Sequence, residues 1–160
     1  MLYIICGLPG TGKTTVAREL VRITGGMLLR TDDMRKKMFP RPSYTHEEKQ
    51  KVYETFLKEA ESMIRSGRDV ILDATFSRKS QRDKALEIAK NAGKKSMTIE
   101  VVCDERFVAE RLGRRKRDIS DADYDVYRKI RREWEPVEGK HAVIDSGDNG
   151  WKVRLKEITK

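Results

Sequence analysis

The sequence predicts an α/β fold, a right-handed doubly wound parallel sheet of five strands with helices on both faces. Three observations carry this. Short apolar, β-favouring runs alternate with longer stretches whose apolar residues recur at helical spacing. The turn joining the first run to the first helical stretch is Gly7-Leu8-Pro9-Gly10-Thr11-Gly12-Lys13-Thr14, which fits G-x-x-x-x-G-K-[ST] at every fixed position. The third run ends in a carboxylate and the second is followed within a few residues by two more, at the carboxyl edge where open α/β sheets bind ligands. With 160 residues the chain is expected to form one domain, 1–160, large enough for a sheet covered on both sides.

The first strand is Leu2–Cys6, and the first helix follows with Val16, Ala17, Leu20 and Val21 on one face. Between them the glycines let backbone N–H groups curl around an anion, and the helix N-terminus adds partial positive charge. Gly7, Pro9, Gly10, Thr11, Gly12, Lys13, Thr14 and Thr15 are therefore the candidate nucleotide-binding residues. Lys13 has the reach for β- and γ-phosphates, and the Thr14 hydroxyl suits a magnesium ion. A nucleoside triphosphate is the implied ligand.

Thr24-Gly25-Gly26 ends that helix and Met27-Leu28-Leu29 reads as the second strand. At its exit stands Arg30-Thr31-Asp32-Asp33-Met34-Arg35. One of the two aspartates is expected to cap the next helix. Asp32 is also placed to orient an acceptor hydroxyl and take its proton, and Arg35, one turn on, to hold an anionic group of that acceptor. After the turn-rich Phe39–Tyr44 segment, Thr45-x-x-Glu48 reads as a capping box. Val52, Tyr53, Phe56, Leu57, Ala60, Met63 and Ile64 then form a helical core stripe closed by Gly67. His46 falls on the exposed first turn.

Asp69–Thr75 is the third strand and its exit. Asp73 is expected either to bind magnesium through a water or to position the acceptor, with Thr75 beside it as a further acceptor contact. A basic amphipathic helix spans Ser77–Ala92, where Arg78 and Arg82 are either acceptor contacts or a solvated face. Met97–Cys103 is the fourth strand, and Asp104 caps a helix carrying Phe107, Val108 and Leu112. That helix runs into Arg111-Leu112-Gly113-Arg114-Arg115-Lys116-Arg117, read as an arginine-rich lid over about 111–120 that neutralises transferring phosphate. A nucleic-acid track or a plain basic surface are the alternatives. Ser120-x-x-Asp123 opens a further helix with Tyr124, Tyr127, Ile130 and Trp134 on one side. Tyr127 is assigned to core packing rather than to an adenine contact. Ala142–Asp145 is the last strand, preceded by a partnerless His141, and amphipathic Trp151–Ile158 closes the chain.

Lys and Arg total 35 against 26 Asp and Glu, a net charge of +9 that favours an anionic partner. No apolar run approaches membrane-spanning length, no leader precedes the first strand, and Cys6 and Cys103 read as small buried hydrophobes, so a cytoplasmic location is expected.

Gly7–Thr14, the Asp32-Asp33-x-Arg35 element, the Asp73-Ala74-Thr75 exit and the Arg111-x-x-x-Arg115 lid together resemble the P-loop kinase branch that contains zeta-toxin-like proteins and the 5′-kinase domain of polynucleotide kinases (small kinases grouped with the AAA-family ATPases). The resemblance implies a P-loop NTPase sheet of order 2-3-1-4-5, with ATP and Mg2+ as cofactors. It implies that Asp32 is the general base, that Arg35 grips the acceptor's phosphate, and that Arg115, helped by Arg111, bridges the donor phosphates. The expected activity is transfer of the γ-phosphate to an acceptor hydroxyl, foremost a 5′-hydroxyl of RNA or DNA. The alternatives are a small-molecule acceptor such as a sugar or nucleoside, and a slowly hydrolysing ATPase switch or binding module.

Overall fold

The computed structural model describes residues 1–114 and 124–160. Five strands, β1 (Leu2–Cys6), β2 (Met27–Arg30), β3 (Val70–Asp73), β4 (Ser96–Val102) and β5 (Ala142–Asp145), form one all-parallel sheet in the order β2-β3-β1-β4-β5. The expected order is the observed one. Central β1 is buried along its whole length, which is why its sequence is a continuous apolar run rather than an alternating one.

The strands' two-residue side-chain period sorts the core into two layers. Leu2, Ile4, Cys6, Val70 and Leu72 point to the face covered by α3 (His46–Arg65) and α4 (Lys79–Asn91), where Val52, Phe56, Ile64, Ala85 and Ala89 meet them. Tyr3, Ile5, Ile71, Ile99, Val101 and Ile144 face α1 (Lys13–Thr24) and α7 (Trp151–Ile158) through Val16, Ala17, Leu20 and Leu155. Burial pushes the Cys6 thiol up to about 12, so it packs as a hydrophobe. Cys103 is only partly buried.

Several local expectations change. Helix α2 (Thr31–Met38) begins directly at the end of β2 with Arg30 as the extended residue before it and no side-chain cap. Asp32 and Asp33 therefore lie inside the first turn, where they complement the helix dipole but cap nothing. The Thr45 hydroxyl does accept the Glu48 N–H, at 3.2 Å. The Glu48 carboxylate, however, reaches past the cap to the Ser43 N–H and hydroxyl at 2.7 and 2.8 Å. Helix α6 (Tyr124–Arg132) ends before Trp134, which packs instead with the β1–α3–α4 core. His141 has a partner: its Nε2 lies 3.4 Å from Glu100 of β4. Arg115, Lys116, Arg117, Ser120 and Asp123 lie outside the described residues.

A third, smaller cluster positions the site. Helix α5 (Glu105–Arg114) and α6 pack through Val108, Leu112 and Tyr127, with Leu8 of the phosphate-loop segment and Cys103 against them. Tyr127 is thus core, as expected. A Cβ at Gly10, whose φ is +78°, would lie 2.9 Å from Leu112 and 3.0 Å from Val108. Helix α5 therefore rests directly on the loop, and only glycine fits beneath it.

Candidate functional site

The site is assembled at the carboxyl edge of β1, β2 and β3. Gly7 turns the chain out of β1 so tightly that a Cβ there would lie 2.4 Å from the Val101 carbonyl oxygen. Its N–H donates to the Thr75 carbonyl at 3.2 Å, which ties the loop to the exit of β3. Within the loop, the Thr11 hydroxyl and the Lys13 ammonium both donate to the Leu8 carbonyl, at 2.8 and 2.9 Å. The loop is a closed cradle at the start of α1, and Lys13 is folded over it.

Beside the cradle lies a charged network. The Thr14 hydroxyl donates to Asp73 Oδ2 at 2.7 Å. Asp73 is buried, and its register partner across β2–β3 is Arg30, whose Nε donates to the same oxygen at 3.2 Å. Arg30 Nη2 also donates to Thr14 Oγ1 at 3.0 Å. Asp32, one residue into α2, is partly buried. Burial pushes its carboxyl up; Lys13 opposes this, Asp73 adds to it, and Arg35 and Arg30 pull it back, leaving it above the usual aspartate range.

Arg35 is almost sealed from solvent. Its Nη1 lies 3.5 Å from Asp32, its Nε 3.4 Å from Glu48, and its guanidinium 5.1 Å from the centre of the Tyr44 ring. Arg35 Nε and Glu48 Oε1 face each other as an ion pair without a well-formed hydrogen bond. Burial raises the Glu48 carboxyl, but the Ser43 and Tyr44 N–H groups, the Ser43 hydroxyl and Arg35 outweigh it and hold Glu48 below its usual range. Tyr44 adopts a left-handed φ of +56°, a conformation bulky residues keep only when their surroundings hold them there.

On the other side of the loop, Arg111 of α5 donates to the Ser146 hydroxyl at 2.9 Å, and that hydroxyl donates to the Thr11 carbonyl at 2.6 Å. Gly12, Thr15, Arg111, Ser146 and Trp151 line a cleft of about 160 Å³. A larger, more open groove of about 250 Å³ between α3 and α4 contains neither the loop nor the network.

The structure thus brings together Gly7, Gly10, Thr11, Gly12, Lys13, Thr14, Thr15, Asp32, Arg35, Asp73, Thr75 and Arg111; Pro9 is buried within the loop, and Arg115 lies outside the described residues. Arg82 is neither an acceptor contact nor a solvated residue. It is buried and donates to the Phe76, Glu135 and Pro136 carbonyls at 2.8, 2.9 and 2.8 Å, with Trp134 beside its guanidinium. Arg30, Ser146 and Trp151 join the candidate site without motif spacing having singled them out, and Glu48, read from spacing only as a cap, joins it too. An arginine ending an otherwise apolar strand was the available signal for the first.

A family model described as an AAA domain matches residues 2–137. The chain belongs to this AAA domain family. Among curated relatives of the domain, the uncharacterized protein Rv2004c of Mycobacterium tuberculosis is 29% identical over 139 residues, which is 78% of this chain. The chain spans only 28% of that relative's length. Kti12 of Chaetomium thermophilum, solved in complex with ADP-AlF3, superimposes with a TM-score of 0.80 at 19% identity, covering 99% of this chain and 97% of its own. The APS kinase CysC of M. tuberculosis, solved with AMPPNP and APS, gives 0.71 at 14% identity over 99% and 94%. A gluconokinase from Sinorhizobium meliloti gives 0.68 at 17% over 97% and 86%. At these identities the likeness establishes the fold. No helix among the described residues is long and apolar enough to cross a membrane.

Proposed function

We propose that the protein is an ATP- and Mg2+-dependent phosphotransferase that delivers the γ-phosphate to the hydroxyl of a small, polar acceptor. The observation that carries the transfer reading is the placement of Asp32 in the first turn of α2, at the exit of β2 beside β3, half-buried and 3.5 Å from Arg35, where burial also pushes its carboxyl up. A base of raised pKa beside a phosphate cradle suits removal of a proton from an attacking hydroxyl. The Kti12 and CysC structures, solved with ADP-AlF3 and AMPPNP, support a nucleotide in the corresponding cradle here.

Loop N–H groups and the start of α1 would receive the phosphates, with Lys13 swinging from the Leu8 carbonyl onto them. The cleft of Gly12, Thr15, Arg111, Ser146 and Trp151 suits the nucleoside end, with the Arg111 guanidinium presented to it. Thr14 Oγ1 and Asp73 are hard oxygen donors in contact, and they fit magnesium. No group of three or more His, Cys, Asp or Glu that could hold a metal occurs among the described residues, so water and phosphate would complete the shell. When bound, the ion supplies charge neutralisation between the phosphates. Asp32 would accept the acceptor proton, Thr75 would line the acceptor side, and Arg115 would act from the lid.

Arg35 favours a small neutral acceptor. Two carboxylates, Asp32 and Glu48, already neutralise it, and Tyr44 covers it, so it is not an open cation waiting for a phosphodiester. The second reading, a polynucleotide 5′-hydroxyl, draws on the net charge of +9 and on exposed Lys36, Lys37 and Arg41 next to the site.

Transfer of labelled phosphate from ATP to a panel of sugars, nucleosides and 5′-hydroxyl oligonucleotides, with Asp32→Ala alongside, separates these readings. Transfer to small hydroxyl compounds with little salt dependence, lost in the variant, is the expected result. Transfer to oligonucleotides alone, weakening steeply with salt, would replace the first reading by the second. ATP binding with no Asp32-dependent transfer to any acceptor would sink both and leave a nucleotide switch.

A further inference from the structure

We infer that Arg30 is a positioning residue that makes metal binding at Thr14 and Asp73 conditional on nucleotide. An arginine at the buried end of an apolar strand is costly unless it is paired. The parallel register puts it directly opposite Asp73, itself buried. One guanidinium then spans the site: Nε on Asp73 Oδ2 at 3.2 Å, Nη2 on Thr14 Oγ1 at 3.0 Å, and Nη1 facing Asp33 at 3.4 Å. The Thr14 hydroxyl hydrogen is directed to Asp73 Oδ2. The same hydroxyl and carboxylate are those assigned above to magnesium, directly or through a water, and the inference rests on that assignment.

Two consequences follow from one cation touching both donors. Without nucleotide, Arg30 neutralises Asp73, which would otherwise be a buried lone carboxylate, and holds Thr14 in line with it. A dication at those oxygens would stand close to the guanidinium, and the two positive charges repel. The negative charge of nucleotide phosphates offsets that repulsion. Magnesium is then accepted with the nucleotide and refused alone, while Arg30 keeps its hold on Asp73 and Asp33.

The experiment is thermal unfolding of the whole chain as wild type, Arg30→Met and Arg30→Lys, each with chelator, with millimolar Mg2+ alone, with ADP plus chelator, and with Mg2+ plus ADP. Wild type should gain less than about 1 °C from Mg2+ alone, yet be stabilised more by ADP with Mg2+ than by ADP without it. Arg30→Met should melt lower in chelator and regain roughly 3 °C or more with Mg2+ alone. Arg30→Lys, which keeps the charge, should follow wild type. An equal response of wild type and Arg30→Met to Mg2+ alone would overturn the inference. If Arg30→Met folds only when Mg2+ is supplied, the inference stands; if Mg2+ cannot rescue it, the inference fails. Indifference of ADP binding to Mg2+ in all three proteins would instead overturn the metal assignment itself.

Discussion

Arg35 and Arg82 look alike from a distance and behave as opposites. Both are nearly sealed from solvent, both lie on helices, and both lie over an aromatic ring. Arg82 is bonded to three neutral backbone carbonyls at 2.8 to 2.9 Å and pins residues 135 and 136, beyond α6, to the Phe76 turn. Arg35 has charged partners at looser distances, Asp32 at 3.5 Å and Glu48 at 3.4 Å, and its Nε lacks a hydrogen bond. A guanidinium saturated by fixed carbonyls cannot move without orphaning them. One set between two carboxylates keeps an ionic partner on either side, and its hold is one of charge rather than of filled hydrogen bonds. The first is a fastener; the second stands in the candidate site.

Substitutions can break that contrast, beginning with the largest expected effect. Asp32→Asn should lower kcat by about 10²–10⁴-fold while the fold persists, since the base is lost and Arg35 keeps Glu48. The wild-type rate should rise with pH through the raised Asp32 pKa, above the ordinary value of 3.8, because only the ionised form accepts a proton. That limb should be missing from the pH profile of the variant. Arg82→Met should do the reverse. It strips donors from three carbonyls, costing about 3 kcal/mol and lowering Tm by about 6–12 °C, with kcat of the folded fraction nearly unchanged. Loss of kcat without loss of stability at Arg82 would erase the distinction between the two arginines.

Smaller effects sharpen it. Glu48 is held below its usual range, so its ionised form stabilises the fold above the ordinary value of 4.5, and that contribution is lost as pH falls through the depressed value. Glu48→Gln should therefore melt below wild type at neutral pH, with the gap closing in acid. A gap independent of pH would mean that Glu48 acts through shape rather than charge. Tyr44→Asn removes the ring from Arg35 but tolerates the left-handed φ, so stability should change by less than about 1 kcal/mol. Its readout is the acceptor KM, which should move while the ATP KM does not.

Much of this was legible locally. The β1–loop–α1 unit, the stripe of α3 and the apolar runs of β3 and β4 were readable because burial imposes a period on the residues themselves. That Asp32 and Asp73 would stand at the ligand edge was readable because strand exits face it, and Thr14 was readable from the fixed positions of the glycine-rich loop. Motif spacing set Arg35 apart through the Asp32-Asp33-x-Arg35 element but could not place Arg82, nine residues past β3 on a basic helix, because only its burial against the distant 135–136 segment shows what it binds. Nor could it find Ser146, whose hydroxyl joins Arg111 to the Thr11 carbonyl across 135 positions of sequence. The capping reading of Glu48 was half right: the Thr45 side of the box formed, while the carboxylate found a buried arginine instead.

The sequence by itself determined that this chain makes a parallel sheet with a phosphate cradle at its first turn, since glycine placement and apolar periodicity are local constraints. Strand order was implied by resemblance, and the structure realises it as β2-β3-β1-β4-β5. Only the tertiary structure decided which charges meet. The β2–β3 register sets Arg30 against Asp73, and the packing of α2 on α3 sets Arg35 against Glu48. A charge's role depends on its neighbours within a few ångström, and those neighbours come from distant parts of the chain.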